Sequence, residues 1–467
     1  MQPSTLTFET ALACAATLFL ALLWRSKWLI PLTVMILLPA INLTLGSTDL
    51  GGRPFNVTTL DVAFLVCCAG LLFDRKAVRL AKSTTNRVLW RIAWSGPWLA
   101  VILLVLNGIA NMLYQPRSYW VASTLTVFRT YCQAFIVPPF FLVFLRGRPA
   151  LGAGMAVFGF AFLGLADATF RQVQWGVRAT PFEMNPNAFG QVLAITIVFA
   201  LTMYLSKDCS RFVHLICVGG VVAAGLGMII SGSREAVIGA FLGIAFLIPI
   251  SRREKGLLLS MVRLLLLGLC LIVIYQLTAE FQSRFEPVFG RLETIISGGR
   301  LASDENLSLR LELSKEALGY YVDNPIFVLS GRGLPATVFA TTLVPDADSA
   351  FLNSVSSFGI FGVLAIMLYY WSYWRQAQKL AAGQTNEPVW LNGVKAALIT
   401  YLSIGLAANV FGSPHTTIII LVVISIVLDS THPRTSVSAA SGDLPAPSIV
   451  WPGAPLGVRV HSGRERK

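Results

Sequence analysis

Residues 187–205 read NAFGQVLAITIVFALTMYL, a stretch without a single charged side chain. The hydrocarbon core of a bilayer is about 30 Å thick and takes about 20 apolar residues per helical crossing, so this stretch is long enough to span it. Similar stretches recur along most of the 467 residues, of which 55% are hydrophobic and 13% charged, with a mean hydropathy of +0.69. The sequence therefore predicts an all-α, polytopic membrane helix bundle.

About twelve or thirteen crossings are predicted by this length criterion. Two of the segments, 235–250 and 415–429, are short, which leaves the lower count open. The predicted crossings are 6–24, 28–45, 57–73, 94–113, 122–145, 149–166, 187–205, 212–230, 235–250, 257–277, 350–374, 391–410 and 415–429.

Lysine and arginine residues cluster at alternate ends of these segments. Since basic residues near membrane ends are retained in the cytoplasm, the clusters mark the cytoplasmic side. The amino terminus and residues 278–349 are then external, and the carboxyl terminus is cytoplasmic. Small clusters at helix ends also account for the net charge of +13, so no nucleic-acid partner is expected.

Four regions follow from the hydropathy pattern. Membrane helices occupy 1–277, an external and partly helical loop domain occupies 278–349, and further membrane helices occupy 350–430. Residues 431–467 are rich in Ser, Pro, Gly and Ala, which is typical of a disordered tail. The seven cysteines and the histidines show no metal-binding spacing, so no metal or cofactor is expected.

The external region 278–349 is the only long polar interruption of the chain. Apolar residues recur at helical spacing from Asp304 to Val322, and Asp323-Asn324-Pro325 is expected to end that helix. The sequence Gly331-Arg332-Gly333 follows. Its two glycines are expected to let the backbone approach a ligand and to direct amide groups toward an anion.

Several short patterns, taken together, resemble the bacterial O-antigen ligases and polymerases, which are multi-spanning proteins of the inner membrane with one large periplasmic loop. The likeness covers roughly residues 180 to 365. The patterns that carry it are Asn185-Pro186-Asn187, Ser231-Gly232-Ser233-Arg234-Glu235-Ala236, Arg310 followed by Asp323-Asn324-Pro325 and Gly331-Arg332-Gly333, and Asp348-Ser349-Ala350-Phe351-Leu352 with Gly359-Ile360-Phe361-Gly362.

This resemblance implies a metal-independent glycosyl transfer from an undecaprenyl-pyrophosphate-linked oligosaccharide at the periplasmic face. A sugar hydroxyl attacks the anomeric carbon of the donor, and the lipid pyrophosphate leaves. Where the ligases carry a histidine that is thought to act as the base, this chain has Asp348, and residues 278–349 contain no histidine. That departure favours a polymerase of O-antigen, capsule or exopolysaccharide repeat units.

The resemblance implies three catalytic residues. Arg234 and Arg310 would stabilise the charge that develops on the leaving pyrophosphate, since arginine forms bidentate contacts with phosphate oxygens. Asp348 would accept the proton of the attacking hydroxyl. The alternatives are an interfacial anchor for Arg234, a surface ion pair for Arg310, and a helix cap for Asp348, in which case Asp346 is the substitute base.

Six further residues are candidates for substrate binding: Arg332, Arg129, Asn187, Asp346, Arg171 and Arg178. Arg332 has a plain surface turn as its alternative. For Arg171 and Arg178 the alternatives are lining a path for an acidic glycan and coating the surface, of which the second is favoured. Arg129 lies inside a predicted crossing, where a charge costs on the order of 3 kcal/mol on insertion scales, so it is a functional candidate unless it snorkels. His415, which follows Pro414, is expected to be a satisfied loop residue.

Two other functions stay open. A ligase would join finished glycan to lipid A core or protein. A flippase for lipid-linked sugars would also need many helices and basic residues, but transporters usually keep their loops short. The expected partners of a polymerase are membrane lipid, the lipid-linked oligosaccharide, a flippase and a chain-length regulator.

Overall fold

A computed structural model describes residues 44–49, 54–114, 117, 120–144, 158–167, 185–205, 211–251, 312, 315–319, 321–333, 349–382 and 389–430. The chain divides into two units, 1–432 and 433–467, and all described residues belong to the first. The predicted crossings 6–24 and 257–277, most of 28–45, and the predicted tail lie outside the described residues.

Helices dominate the described part of the chain. The first four are α1 (Thr59–Phe73), α2 (Arg75–Thr84), α3 (Arg87–Tyr114) and α4 (Trp120–Val127), and a π-helical turn (Phe128–Cys132) and a 3₁₀ turn (Gln133–Ile136) connect α4 to α5 (Val137–Phe144). A second π-helical turn covers Phe158–Leu163. The remaining helices are α6 (Pro186–Leu205), α7 (Arg211–Ser231), α8 (Arg234–Ser251), α9 (Pro325–Ser330), α10 (Ala350–Ala382), α11 (Val389–Ala407) and α12 (Pro414–Ser430).

The prediction of an all-α polytopic membrane protein is confirmed. Four described helical segments are long and apolar enough to cross a membrane, namely Arg87–Tyr114, Trp120–Phe144, Pro186–Leu205 and Ala350–Ala382. Five shorter apolar helices match further predicted crossings: Thr59–Phe73, His214–Met228, Glu235–Leu247, Leu391–Ala407 and Pro414–Ser425.

A short antiparallel hairpin precedes α1 and was not predicted. Strand β1 (Thr44–Asp49) pairs with β2 (Pro54–Thr58), so Thr44 and Leu45, expected at the end of crossing 28–45, are extended instead. Thr58 ends β2 and caps α1, because its backbone N–H donates to the Asp61 carboxylate at 2.8 Å. The hairpin is thereby joined directly to the first described crossing.

Helix α6 lies at the centre of the bundle. It contacts α7, α8, α11 and α12, and its residues from Phe189 to Ala200 are buried without interruption. A helix that is apolar on all sides is typical of such a central position. Small residues also allow close contacts between other helices of the bundle. A Cβ on Gly96 of α3, for example, would lie 2.6 Å from the Phe135 carbonyl oxygen.

Helix α10 bends at Gly359, which has φ 68° and ψ −176° in an otherwise helical run. This region of backbone conformation is essentially restricted to glycine. The bend interrupts the helical hydrogen-bond ladder, and α9 packs into the interruption, where the Leu329 carbonyl oxygen lies against Gly359. Helix α9 is therefore fixed to α10 by close backbone contact.

Gly359→Ala is expected to destabilise the protein. The new Cβ would collide with the Leu329 backbone oxygen, which cannot rotate away, and the unfavourable φ alone costs about 1–3 kcal/mol. Gly108→Ala in α3 is the matched control, because a Cβ there meets nothing within 4 Å. The apparent melting temperature of purified protein in detergent should fall for the first variant and should stay equal or rise slightly for the second, because alanine is a better helix former than glycine. Equal melting temperatures would contradict the described packing of the bend.

Candidate functional site

The turn between α7 and α8 contains the predicted motif Ser231-Gly232-Ser233-Arg234. Gly232 has φ 62°, which favours glycine, and the Ser231 hydroxyl donates to the Met228 carbonyl at 2.8 Å. The turn rests on α6, because a Cβ on Gly190 would lie 2.5 Å from the Cβ of Ser233. Arg234 is the first residue of α8, so its backbone is fixed beside the first turns of α6.

The same end of α6 also contacts α12. The Thr416 hydroxyl donates to the Gln191 side-chain oxygen at 3.1 Å, and Thr416 and Ser413 share a hydrogen bond of 2.9 Å. Asn187 lies one turn before Gln191, and its N–H bonds to the Asn185 side-chain oxygen at 2.8 Å. The candidate residue Asn187 is therefore half-buried and lies on the face of α6 that carries Gln191.

Three of the buried polar atoms that have no hydrogen-bond partner among the described residues belong to residues near this end of the bundle. They are the Ser233 hydroxyl, one carboxylate oxygen of Glu235 and Nε2 of His415. A buried polar group left without a partner costs about 1–3 kcal/mol, so each such group needs an explanation. One explanation is a polar ligand that binds at this end.

His415 corrects one expectation. It is the second residue of α12, with only 3% of its surface exposed, and Nε2 has no partner within the described part of the chain. It is therefore neither in a loop nor satisfied as expected. The sequence alone could not show this, because Pro414-His415 looks like a turn until the packing of α12 against α6 is known.

Gly331-Arg332-Gly333 forms the second part of the site, immediately after α9. The preceding helical residues end at Asp323, as predicted. Pro325 begins a new helix, which was not predicted. The amide of Gly331 donates to the Phe327 carbonyl at 2.9 Å, that of Arg332 to Ser356 at 2.6 Å, and that of Gly333 to Ser357 at 3.3 Å. The expectation that these amides face an anion is therefore wrong, because all three donate to carbonyls of the protein.

The Arg332 side chain is half-buried and lies over an aromatic ring. Its guanidinium carbon is 4.9 Å from the centre of the Phe327 ring, which packs edge-on against Tyr114 at 4.7 Å. The Tyr114 hydroxyl is 3.1 Å from that of Ser330. The contact with the ring holds the guanidinium against the protein, so Arg332 is not a plain surface turn.

A buried polar cluster on α3 and α4 lies behind Gly333. The Ser123 hydroxyl is 3.0 Å from the side-chain oxygen of Asn111 and 3.3 Å from that of Asn107. A Cβ on Gly333, which has φ 80°, would collide with the Asn111 oxygen. The position of Arg332 is thus set on one side by Gly359 and on the other by Asn111.

A continuous series of contacts joins the two parts of the site. The Phe351 ring of α10 packs against Phe411 at 5.2 Å, just before α12 begins. Phe358 packs edge-on against Tyr131 at 4.9 Å, and the Tyr131 hydroxyl lies beside Gly412. From there α12 reaches α6 through Thr416, and α6 reaches the Arg234 turn through Gly190. Both candidate arginines therefore lie at one end of the helix bundle.

Arg129 is held in an ion pair with Asp61, which lies in the first turn of α1. Its guanidinium donates to the Asp61 carboxylate at 2.8 Å and to the Asn56 carbonyl, and Gln133 donates to the other Asp61 oxygen at 2.8 Å. The π-helical turn places Arg129 and Gln133 where both reach Asp61. This arrangement explains an intramembrane arginine by structure, since pairing offsets the cost of the charge.

The other candidates lie outside the described residues. They are Arg310, Asp346, Asp348, Arg171 and Arg178. Helix α10 begins at Ala350, which puts Ser349 at its N-cap position and Asp348 one residue earlier.

Comparison with known families supports the interpretation of this region. Residues 218–367, about a third of the chain, match the family model described as O-antigen ligase. The resemblance predicted from the motifs is confirmed for this segment, which contains Arg234, α9, Arg332 and Gly359. Asn185-Pro186-Asn187 precedes the match. A comparison with curated proteins finds no match to the chain.

The ion pair predicts that Arg129 and Asp61 act as a unit. Arg129→Gln and Asp61→Asn should each lower stability, because each leaves a partner charge without its counterion. The double variant should lose less than the sum of the two single losses, with a coupling of about 0.5–3 kcal/mol. Thermal unfolding in detergent measures this cycle. Two outcomes would favour a substrate role for Arg129. The first is that the two losses are additive. The second is that Asp61→Asn leaves stability unchanged while Arg129→Gln abolishes glycan transfer.

Proposed function

We propose that this protein, whose residues 218–367 match the O-antigen ligase family, is a polysaccharide polymerase of the bacterial inner membrane. It transfers a glycan from a lipid pyrophosphate onto a lipid-linked repeat unit at the periplasmic face. The family implies lipid-linked oligosaccharide substrates. The undecaprenyl carrier, the inner membrane and the orientation of the loop are part of the proposal.

One structural observation carries the proposal. Two motifs far apart in the sequence, at Arg234 and Arg332, pack against the same end of a membrane helix bundle. A lipid-linked pyrophosphate lies at the level of the headgroups, where the ends of membrane helices also lie. A polar site at helix ends thus suits a substrate that is half lipid and half sugar.

The chemistry needs positive charge where the pyrophosphate leaves. The acceptor oxygen forms a bond to the anomeric carbon, and the bond from that carbon to the pyrophosphate oxygen breaks with its electron pair. Arg234 and Arg332, together with Arg310, would stabilise the anion as it forms. Asp348 would take the proton of the acceptor hydroxyl, with Asp346 as the alternative base.

The remaining candidates would bind the sugar part of the substrate. Asn187 lies on α6 near the Arg234 turn and presents an amide that can hydrogen-bond to hydroxyl groups. Arg171 and Arg178 precede α6 in the chain and would meet an acidic glycan. A chain-length regulator and a flippase would act as partners of the same assembly.

A ligase is the second candidate function. The family match fits a ligase no worse than a polymerase, and the description of the family favours it directly. The absence of histidine from residues 278–349 favours the polymerase. The buried His415 does not restore a loop base, because it lies at the start of α12.

Deletion of the gene separates these functions by product. Loss of a polymerase should leave single repeat units outside the cytoplasmic membrane, because the chain cannot be extended. Loss of a ligase should instead leave long polymer on its lipid carrier, and loss of a flippase should trap single units inside the cell. Glycan length is measured on gels. Lectin labelling of intact spheroplasts shows whether the lipid-linked units lie outside the cytoplasmic membrane. Polymer of unchanged length and attachment would exclude all three functions.

Substitution of the two described arginines tests the site itself. Arg234→Ala and Arg332→Ala should each lower the rate of polymer formation by about 10²–10³-fold, the usual effect of removing one group that stabilises a developing anion. Lysine at either position should retain part of the activity, because it keeps the charge but loses the bidentate geometry. The rate is measured as glycan produced in a complemented deletion strain.

Arg117→Ala is the matched control for these variants. Arg117 is exposed and precedes α4, outside the segment that matches the family. It should support normal polymer at equal protein levels in the membrane fraction. Normal polymer from both Arg234→Ala and Arg332→Ala would remove the proposed pyrophosphate site.

A further inference from the structure

Helix α2 has two dissimilar sides. Ala77, Val78 and Ala81 face the protein, with Ala81 fully buried, and the helix contacts α5. The opposite side is cationic and exposed, and exposed basic residues continue into the first turns of α3. We define these residues as the basic face: Arg75, Lys76, Arg79, Lys82, Arg87 and Arg91.

The charge of the basic face is not balanced within the described part of the chain. Residues 75–114 contain no Asp or Glu. Asp74 accepts a hydrogen bond from the Ala77 amide at 2.9 Å and so caps the helix. No described acidic side chain forms an ion pair with a residue of the basic face. A surface with this much positive charge attracts an anionic partner.

The fold puts the basic face at the level of lipid headgroups. Helix α1 is an apolar helix that ends at Phe73, and α3 is long and apolar enough to cross a membrane. Helix α2 is the connection between them, and Asp74 alone separates it from α1. Because both neighbours are predicted to enter the bilayer, α2 is expected to lie close to the membrane surface.

Exposed apolar side chains accompany the charge. Phe73 is 61% exposed and Leu80 is 59% exposed, and Leu80 lies one turn after Lys76 on α2. Basic residues beside exposed apolar ones are typical of helices that lie in the plane of the interface and bind anionic lipid. An acidic protein would explain the charge but not these apolar side chains at headgroup level.

We propose that the basic face of α2 and the start of α3 is a binding surface for the headgroups of anionic phospholipids, with Phe73 and Leu80 inserted between the acyl chains. The charge pattern of the sequence puts this surface on the cytoplasmic leaflet. The proposal concerns the opposite end of the helices from Arg234 and does not depend on the glycan transfer.

The test measures lipid selectivity in nanodiscs. Purified full-length protein is placed in phosphatidylcholine nanodiscs that contain spin-labelled phosphatidylglycerol or spin-labelled phosphatidylcholine, and the motionally restricted fraction of each gives their relative association. Arg75→Gln/Arg79→Gln/Lys82→Gln removes three charges of the basic face. Arg211→Gln/Arg375→Gln/Lys379→Gln is the matched control, with two arginines and one lysine that are exposed near the ends of α7 and α10.

The wild type should associate with phosphatidylglycerol more strongly than with phosphatidylcholine. In the α2 triple variant this ratio should fall by at least about fivefold, the effect expected from the loss of one basic residue near an anionic surface. The control variant should lose less than about twofold, and 1 M salt should erase the difference between the variants. Melting temperatures in pure phosphatidylcholine nanodiscs should be equal, which shows that the variants fold.

Two results would overturn the proposal. One is an α2 triple variant that keeps the wild-type preference or loses no more than the control. The other is that an acidic protein copurifies with the wild type but not with the α2 triple variant, while both show the same lipid selectivity. The basic face would then bind a protein partner. An effect of the α2 variant on lipid alone, with polymer formation unchanged, would support the proposal and leave the proposed function untouched.

Discussion

The bend of α10 at Gly359 is the interaction on which the candidate site depends. A bend in a membrane helix releases carbonyl groups from the helical ladder, and in lipid such groups must find donors within the protein. Here the carbonyls of Ser356 and Ser357 accept the amides of Arg332 and Gly333. The residues after α9 thus supply donors for the carbonyls of α10, and α10 in turn fixes the backbone of Arg332, which lies between two glycines.

Close approach of backbones explains why glycines occur where they do in both parts of the site. Gly331, Gly333 and Gly359 all have positive φ and leave no room for a Cβ, and Gly190 lets α6 contact the Ser233 turn. Membrane helices associate without a hydrophobic driving force between them, so close packing at small residues and buried hydrogen bonds contribute much of the stability of their association. Buried hydrogen bonds also connect α10, α11 and α12, because the Tyr401 hydroxyl contacts the hydroxyls of both Tyr370 and Thr417.

The sequence predicted the fold well because crossings depend on composition over about 20 residues, a property that is visible without tertiary information. It also predicted the end of a helix at Asp323-Asn324-Pro325, since proline acts on the local backbone. It failed where the outcome depends on a partner remote in the chain. The hairpin at Thr44–Thr58, the pairing of Arg129 with Asp61, the burial of His415 and the destination of the Arg332 amide are all of this kind.

The amides of Gly331, Arg332 and Gly333 donate to carbonyls of α9 and α10, which changes the groups that are available for the proposed pyrophosphate. A backbone nest would hold an anion with amides that stay in place through the reaction, but here those donors are already satisfied. In the proposed function, the positive charge at this position therefore comes from the Arg332 guanidinium, which lies over the Phe327 ring. Arg129 cannot add to it in the same way, because Asp61 neutralises that charge within the bundle. The site therefore depends on side chains held by a rigid backbone, an arrangement in which the charge is preorganised and the amides determine only where it lies.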